Sequence, residues 1–162
     1  MVYSLGTSIL RRDTKNSHRT IVRFGASPLY DTYMSDRSAD WLRQAKDDLE
    51  WTRDTLRAGR WAQCCFASQQ TAEKAVKALA LFRGYDTVKS HSITEICKEL
   101  GINGEIERRA KRLDLYYISA RYPDAFPSGA PFEYFAEDQA AEATAYAEYI
   151  VAAVGQAIAH GE

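Results

Sequence analysis

From Ser38 to Ala159 the apolar residues recur at steps of three and four, and almost nothing interrupts them. That spacing marks one face of an α-helix, and no segment alternates convincingly as a strand. The chain holds only 9 glycines and 4 prolines in 162 residues, and ten alanines fall between Ala136 and Ala159. Few breakers and many alanines favour helix over sheet. The length suits one domain, and a hydrophobic content of 46% is enough for a packed core.

The pattern predicts four long helices and one short one. The first runs from Ser38, a candidate N-cap, to Arg57, with Leu42, Ala45, Leu49, Thr52 and Leu56 inward. The second runs from Arg60 to Arg83, with Ala62, Cys65, Phe66, Ala72, Val76, Leu79 and Ala80 on its apolar arc. A short third helix starts at Ser92, where Ser92-Ile93-Thr94-Glu95 has the form of a capping box. The fourth carries Ile106, Ala110, Leu113, Tyr117 and Ala120 and stops near Arg121, because the residue before Pro123 is pushed out of helical geometry. A loop covers Tyr122 to Phe135, and the last helix spans Glu137 to Ala159. The fold class expected is all-α, an up-and-down antiparallel bundle.

Residues 1–33 do not share this pattern. They hold five basic residues (Arg11, Arg12, Lys15, Arg19, Arg23) against Asp13 and Asp31, while the rest of the chain is net negative. Val22, Phe24, Leu29 and Tyr30 suit a short strand-like piece, but no hairpin partner is visible. A poorly ordered tail at 1–33, with Met34 as an alternative start, and a bundle at 34–162 is the expected division.

The net charge of −1 excludes gripping nucleic acid by bulk charge. Cys64, Cys65 and Cys97 form neither a disulfide framework nor a zinc spacing, so reduced buried thiols and a cytoplasmic location are expected. No apolar run reaches the ~18 residues of a membrane span. Phosphate loops and dinucleotide, zinc-protease and serine-hydrolase motifs are absent, and no cofactor or metal is expected.

Three polar groups stand out. At 100° per residue, Glu73 falls inside the apolar arc of the second helix, with Gln70 and Lys77 beside it on one face. Either Glu73 and Lys77 form a structural ion pair, or they line a polar notch that receives a ligand or partner. Arg121, followed by Tyr122, Pro123 and Asp124, brings a planar fork suited to phosphate or carboxylate. It could equally be paired with Asp114, Asp124 or Glu73. His91 precedes the cap of the third helix.

Trp41-Leu42-x-x-Ala45-x-x-Asp48-Leu49, Gln70-x-x-Glu73-Lys74-x-x-Lys77, Lys89-Ser90-His91-Ser92-Ile93 and Ala120-Arg121-Tyr122-Pro123-Asp124, in that order, resemble the HEPN domain family from Ser35 to Ala159. The resemblance implies an antiparallel helical bundle, commonly dimeric. It implies one cleft in which Glu73, Lys77, His91, Arg121 and Asp124 act together, with Gln70 and Tyr122 as further ligand-binding candidates. In that cleft Lys77 and Arg121 are expected to supply positive charge for a phosphate, and Asp124 or Glu73 to orient Arg121.

Ribonuclease members of the family resemble one another in a histidine four to six residues after the arginine. Here Tyr122 to Ser128 contains none, so His91 would have to substitute. The Arg-Tyr-Pro-Asp form resembles instead the nucleotide-binding or accessory members paired with a minimal nucleotidyltransferase, in the manner of a toxin–antitoxin pair. That role is the expectation, with a homodimer and without activity of its own. A divergent ribonuclease and a non-catalytic helical interaction module are the alternatives, and RNA is the lesser partner.

Overall fold

The computed structural model describes residues 21–22 and 28–161, with side chains from Arg37 onward. It is all-α, with one two-residue strand pair. In chain order the elements are β1 (Ile21–Val22), α1 (Pro28–Arg57), α2 (Trp61–Phe82), β2 (Thr87–Val88), α3 (Ile93–Glu99), α4 (Glu105–Asp114), α5 (Tyr116–Ser119) and α6 (Glu137–His160). Short 3-10 turns cover Pro123–Ala125 and Pro131–Glu133 between α5 and α6.

The centre of the bundle is α2, which packs mainly against α1 and α6 and also touches α3, α4 and α5. Sixteen of its 22 residues are buried, so it is enclosed on most of its circumference. Alanine and cysteine dominate that surface. Their small volume lets α1 and α6 approach on two sides, while Val76 and Leu79 fill the space between. The predicted inward stripe of α1 holds at Ala45, Leu49 and Thr52, and α6 buries a stripe of its own at Ala143, Ala147, Ile150 and Val154. Gly59 and Gly84 end the first two helices at φ +70 and +78, a left-handed conformation open to glycine and strained for other residues.

Several local expectations need correction. Helix α1 begins at Pro28, so Ser38 is no N-cap. Its hydroxyl donates instead to the Ala78 carbonyl at 2.8 Å, a buried tie between α1 and α2. Val22 does find a strand partner, though not in a hairpin: Ile21 and Val22 pair antiparallel with Val88 and Thr87 beyond α2. Helix α1 runs through residue 34, and residues 1–20 and 23–27 of the expected tail lie outside the described residues, so the division itself stays an expectation.

The predicted fourth helix is interrupted at Leu115, giving α4 and α5. Leu115 keeps helical dihedrals (φ −61, ψ −27), so the hydrogen-bond ladder breaks while the backbone conformation persists. Just before this break, the Asp114 carboxylate caps α3. It accepts from Ser92 Oγ at 2.8 Å, Ile93 N at 2.8 Å and Thr94 N at 2.9 Å. The capping box is half formed: Ser92 Oγ accepts from Glu95 N, but the Glu95 carboxylate takes the Ser90 hydroxyl.

Candidate functional site

Glu73 lies on the buried face of α2 at 4% exposure, where a lone carboxylate would be costly. It is fully partnered. Oε1 accepts from Lys77 Nζ at 2.7 Å and meets His91 Nδ1 at 3.1 Å. Oε2 accepts from Gln69 Nε2 at 3.3 Å and Gln70 Nε2 at 3.2 Å. An ionised carboxylate only accepts, so His91 presents a protonated Nδ1 to it. The His91 backbone is fixed as well, its carbonyl accepting from Gln69 Nε2 at 2.9 Å. The ring itself stays open, with 58% of the side chain exposed.

The array continues across Tyr117. The His91 and Tyr117 rings stack at 5.3 Å between centroids and 13° between planes. Arg121 Nε donates to the Tyr117 carbonyl at 2.8 Å, an i to i−4 contact that the end of α5 makes available. Its guanidinium carbon lies 4.5 Å from the Tyr117 ring centre, 4.6 Å from Phe66 and 4.9 Å from Tyr122. Three aromatic rings thus hold the guanidinium, each a cation–π contact.

Six of the seven expected residues therefore assemble: Gln70, Glu73, Lys77 and His91 at one end, Arg121 and Tyr122 at the other. Asp124 does not join them. It is exposed on the Pro123–Ala125 turn and makes no ion pair or hydrogen bond among the described residues. Neither Asp124 nor Glu73 orients Arg121; the Tyr117 carbonyl and the rings do. Asp114, another candidate partner for Arg121, is committed to the α3 cap.

Three participants escape a sequence reading: Gln69, Phe66 and Tyr117. Gln69 is fully buried and bonds both Glu73 and His91. Its i,i+4 spacing to Glu73 is a usable signal. Phe66 and Tyr117 look like ordinary core stripe residues until the rings are placed.

Among the described residues no group of His, Cys, Asp and Glu could hold a metal ion. No described helix is long and apolar enough to cross a membrane. Burial pushes the Cys65 and Cys97 thiols up to about 12, so both are inert as nucleophiles and stay outside the site.

The helical bundle and this polar array define a class, and comparison with known proteins gives the same one. Residues 38–157 match the HEPN domain. The chain belongs to the HEPN domain family. It is similar to the crystal structure of TT1696 from Thermus thermophilus, at 38% identity and a TM-score of 0.70, covering 74% of this chain and 97% of that one. It is similar also to ST0689, an archaeal HEPN homologue, at 39% identity and a TM-score of 0.66, over 75% and 97%. A HEPN domain protein from Thermotoga maritima matches at 32% identity and a TM-score of 0.59, over 74% and 98%. No curated protein matches.

Proposed function

We propose that the protein is a nucleotide-binding accessory HEPN subunit, cytoplasmic and homodimeric, that acts with a minimal nucleotidyltransferase as in a toxin–antitoxin pair. One observation carries this reading. The half-buried Arg121 guanidinium has no carboxylate partner among the described residues, although three rings and a carbonyl fix its position. A cation held in place without an anion is prepared to receive one, and a planar fork suits phosphate. The exposed Tyr122 ring beside it offers a stacking surface for a base.

Titration of ATP into the wild type and Arg121→Lys tests this. The lysine keeps the charge and loses the fork, so at least about tenfold weaker binding is expected. Equal binding would show that the fork is not used. Co-expression with a nucleotidyltransferase encoded beside this chain should give one joint peak on size exclusion. Separate elution would overturn the partner.

A second reading, ribonuclease, is favoured by the Glu73–His91 contact. A carboxylate holding Nδ1–H leaves Nε2 as a base or acid, the arrangement of a carboxylate–histidine pair. RNA cleavage abolished by His91→Gln would support it. Cleavage unchanged in that variant would remove it.

A further inference from the structure

Lys77 faces two ways. On one side its ammonium donates to Glu73; on the other it lies 5.8 Å from the centre of the Trp41 ring. The side chain is only 9% exposed. An ammonium carries three N–H donors, and Glu73 is the only acceptor Lys77 has among the described residues. Beside it opens a cavity of about 290 Å³, lined by Arg37, Trp41, Lys77 and Leu81 and by Asp86, Thr87 and Val88 at the strand pair. A second cavity of about 330 Å³ shares Arg37 and Trp41 with the first and adds Asp40, Gln44 and Lys74. Trp41 is thus a half-buried indole common to both spaces.

We propose that these two cavities form one trough that binds a small ligand carrying a planar ring and an oxyanion. The oxyanion meets the unused donors of Lys77, and the ring lies along Trp41. The other cations at the trough are already engaged. Arg37 pairs with Asp40 at 3.0 Å, and Lys74 pairs with Asp48. Lys77, equally paired with one carboxylate, is the most buried cation of the three, and burial makes a bond to its remaining donors stronger than one at the surface. The combined space is the size of a small-molecule site. The trough meets the array at Lys77, whose ammonium also donates to Glu73, but it is built on Trp41 and Arg37 of α1, and binding there does not require the Arg121 fork. Nucleoside monophosphates and aromatic carboxylates share the required chemistry.

The test follows the Trp41 indole N–H by NMR in the full chain, its signal assigned by its loss in Trp41→Phe. AMP, benzoate and inorganic phosphate are titrated separately. A saturable shift of the Trp41 signal with AMP or with benzoate supports the trough, and the stronger of the two identifies the source. By calorimetric titration, which needs no indole signal, Trp41→Leu should weaken that ligand about tenfold, and Trp41→Phe should restore most of the affinity, because a stacked ring is worth that much. Glu73 and His91 signals report folding in both variants. The proposal is overturned if neither AMP nor benzoate moves Trp41 at about 10 mM, an affinity too weak for a built site. It is overturned equally if phosphate alone binds as tightly as both, or if the affinity is lost in Arg121→Ala and kept in Trp41→Leu.

Discussion

Glu73 and Arg121 carry opposite burdens, and their substitutions should separate stability from binding. Glu73 compensates Lys77 inside the bundle, where removing one member of a buried pair leaves the other charge stranded. Glu73→Ala is expected to destabilise the fold by about 3 kcal/mol, read from urea unfolding. Arg121 sits at a helix end among rings, and its loss forfeits cation–π contacts and one hydrogen bond. Arg121→Ala should cost only about 1 kcal/mol in the same experiment. If Arg121→Ala were the more damaging, the array would be a structural cluster. Glu73 is legible in the sequence because a carboxylate inside an apolar arc must have partners. Asp124 is not, because proximity in sequence to Arg121 says nothing about direction across a proline turn. The supports of Arg121 are hidden for a related reason: Phe66 and Tyr117 serve both core and site, and periodicity reports only the core role.

The same mixture of legible and hidden holds for whole elements. The stripes of α1, α2 and α6 are readable because burial imposes the helical period on sequence. The start of α1 is not, since Ser38 resembles a cap locally and is used for a long-range bond. Nor is the link between α3 and α4 visible, because Asp114 caps a helix whose start lies some twenty residues earlier in the chain. One carboxylate there ties the segment holding His91 to the segment holding Tyr117 and Arg121. Asp114→Ala should destabilise the protein by about 2 kcal/mol, within the range of helix caps and charge-assisted bonds. Amide exchange should accelerate first at Ile93 and Thr94, whose N–H groups lose their acceptor. Unchanged protection at those two amides would show that α3 is held by packing alone.

At the scale of the molecule, two properties follow from what is buried and what is left out. Burial holds Cys65 and Cys97 at about 12 against an ordinary 9.0, and Tyr116 at about 12 against 10.0. The unfolded chain loses these protons from about pH 9 upward, while the folded chain keeps them to about pH 12. Above about pH 9 the unfolded state therefore binds fewer protons, and stability falls as pH rises through that window. The urea midpoint should drop between about pH 8 and about pH 10.5, and Cys97→Ala should reduce the drop. A midpoint independent of pH over that range would contradict this. On the outside, Leu115, Ile118 and Tyr122 are exposed at 63%, 50% and 48% around α5, beside the Arg121 array. Apolar surface of this kind suits a second subunit. Light scattering at micromolar concentration should report a dimer, and Ile118→Asp should shift it to monomer. A wild type that stays monomeric would reject the proposed assembly.

The central claim is that the array from Glu73 to Arg121 receives an anion instead of merely bracing the bundle. The most direct measurement is an NMR titration of ATP that follows the Arg121 Nε–H and the His91 ring, alongside thermal melts. The Nε–H is a good reporter because it is held on the Tyr117 carbonyl. Both signals should shift saturably in the wild type. In Arg121→Ala the His91 response should require at least about tenfold more ATP, the worth of a charge-assisted contact, while the melting temperature changes by only a few degrees. Signals that stay fixed at millimolar ATP, together with a collapse of the melting temperature in Arg121→Ala, would contradict the account and leave the array a structural one.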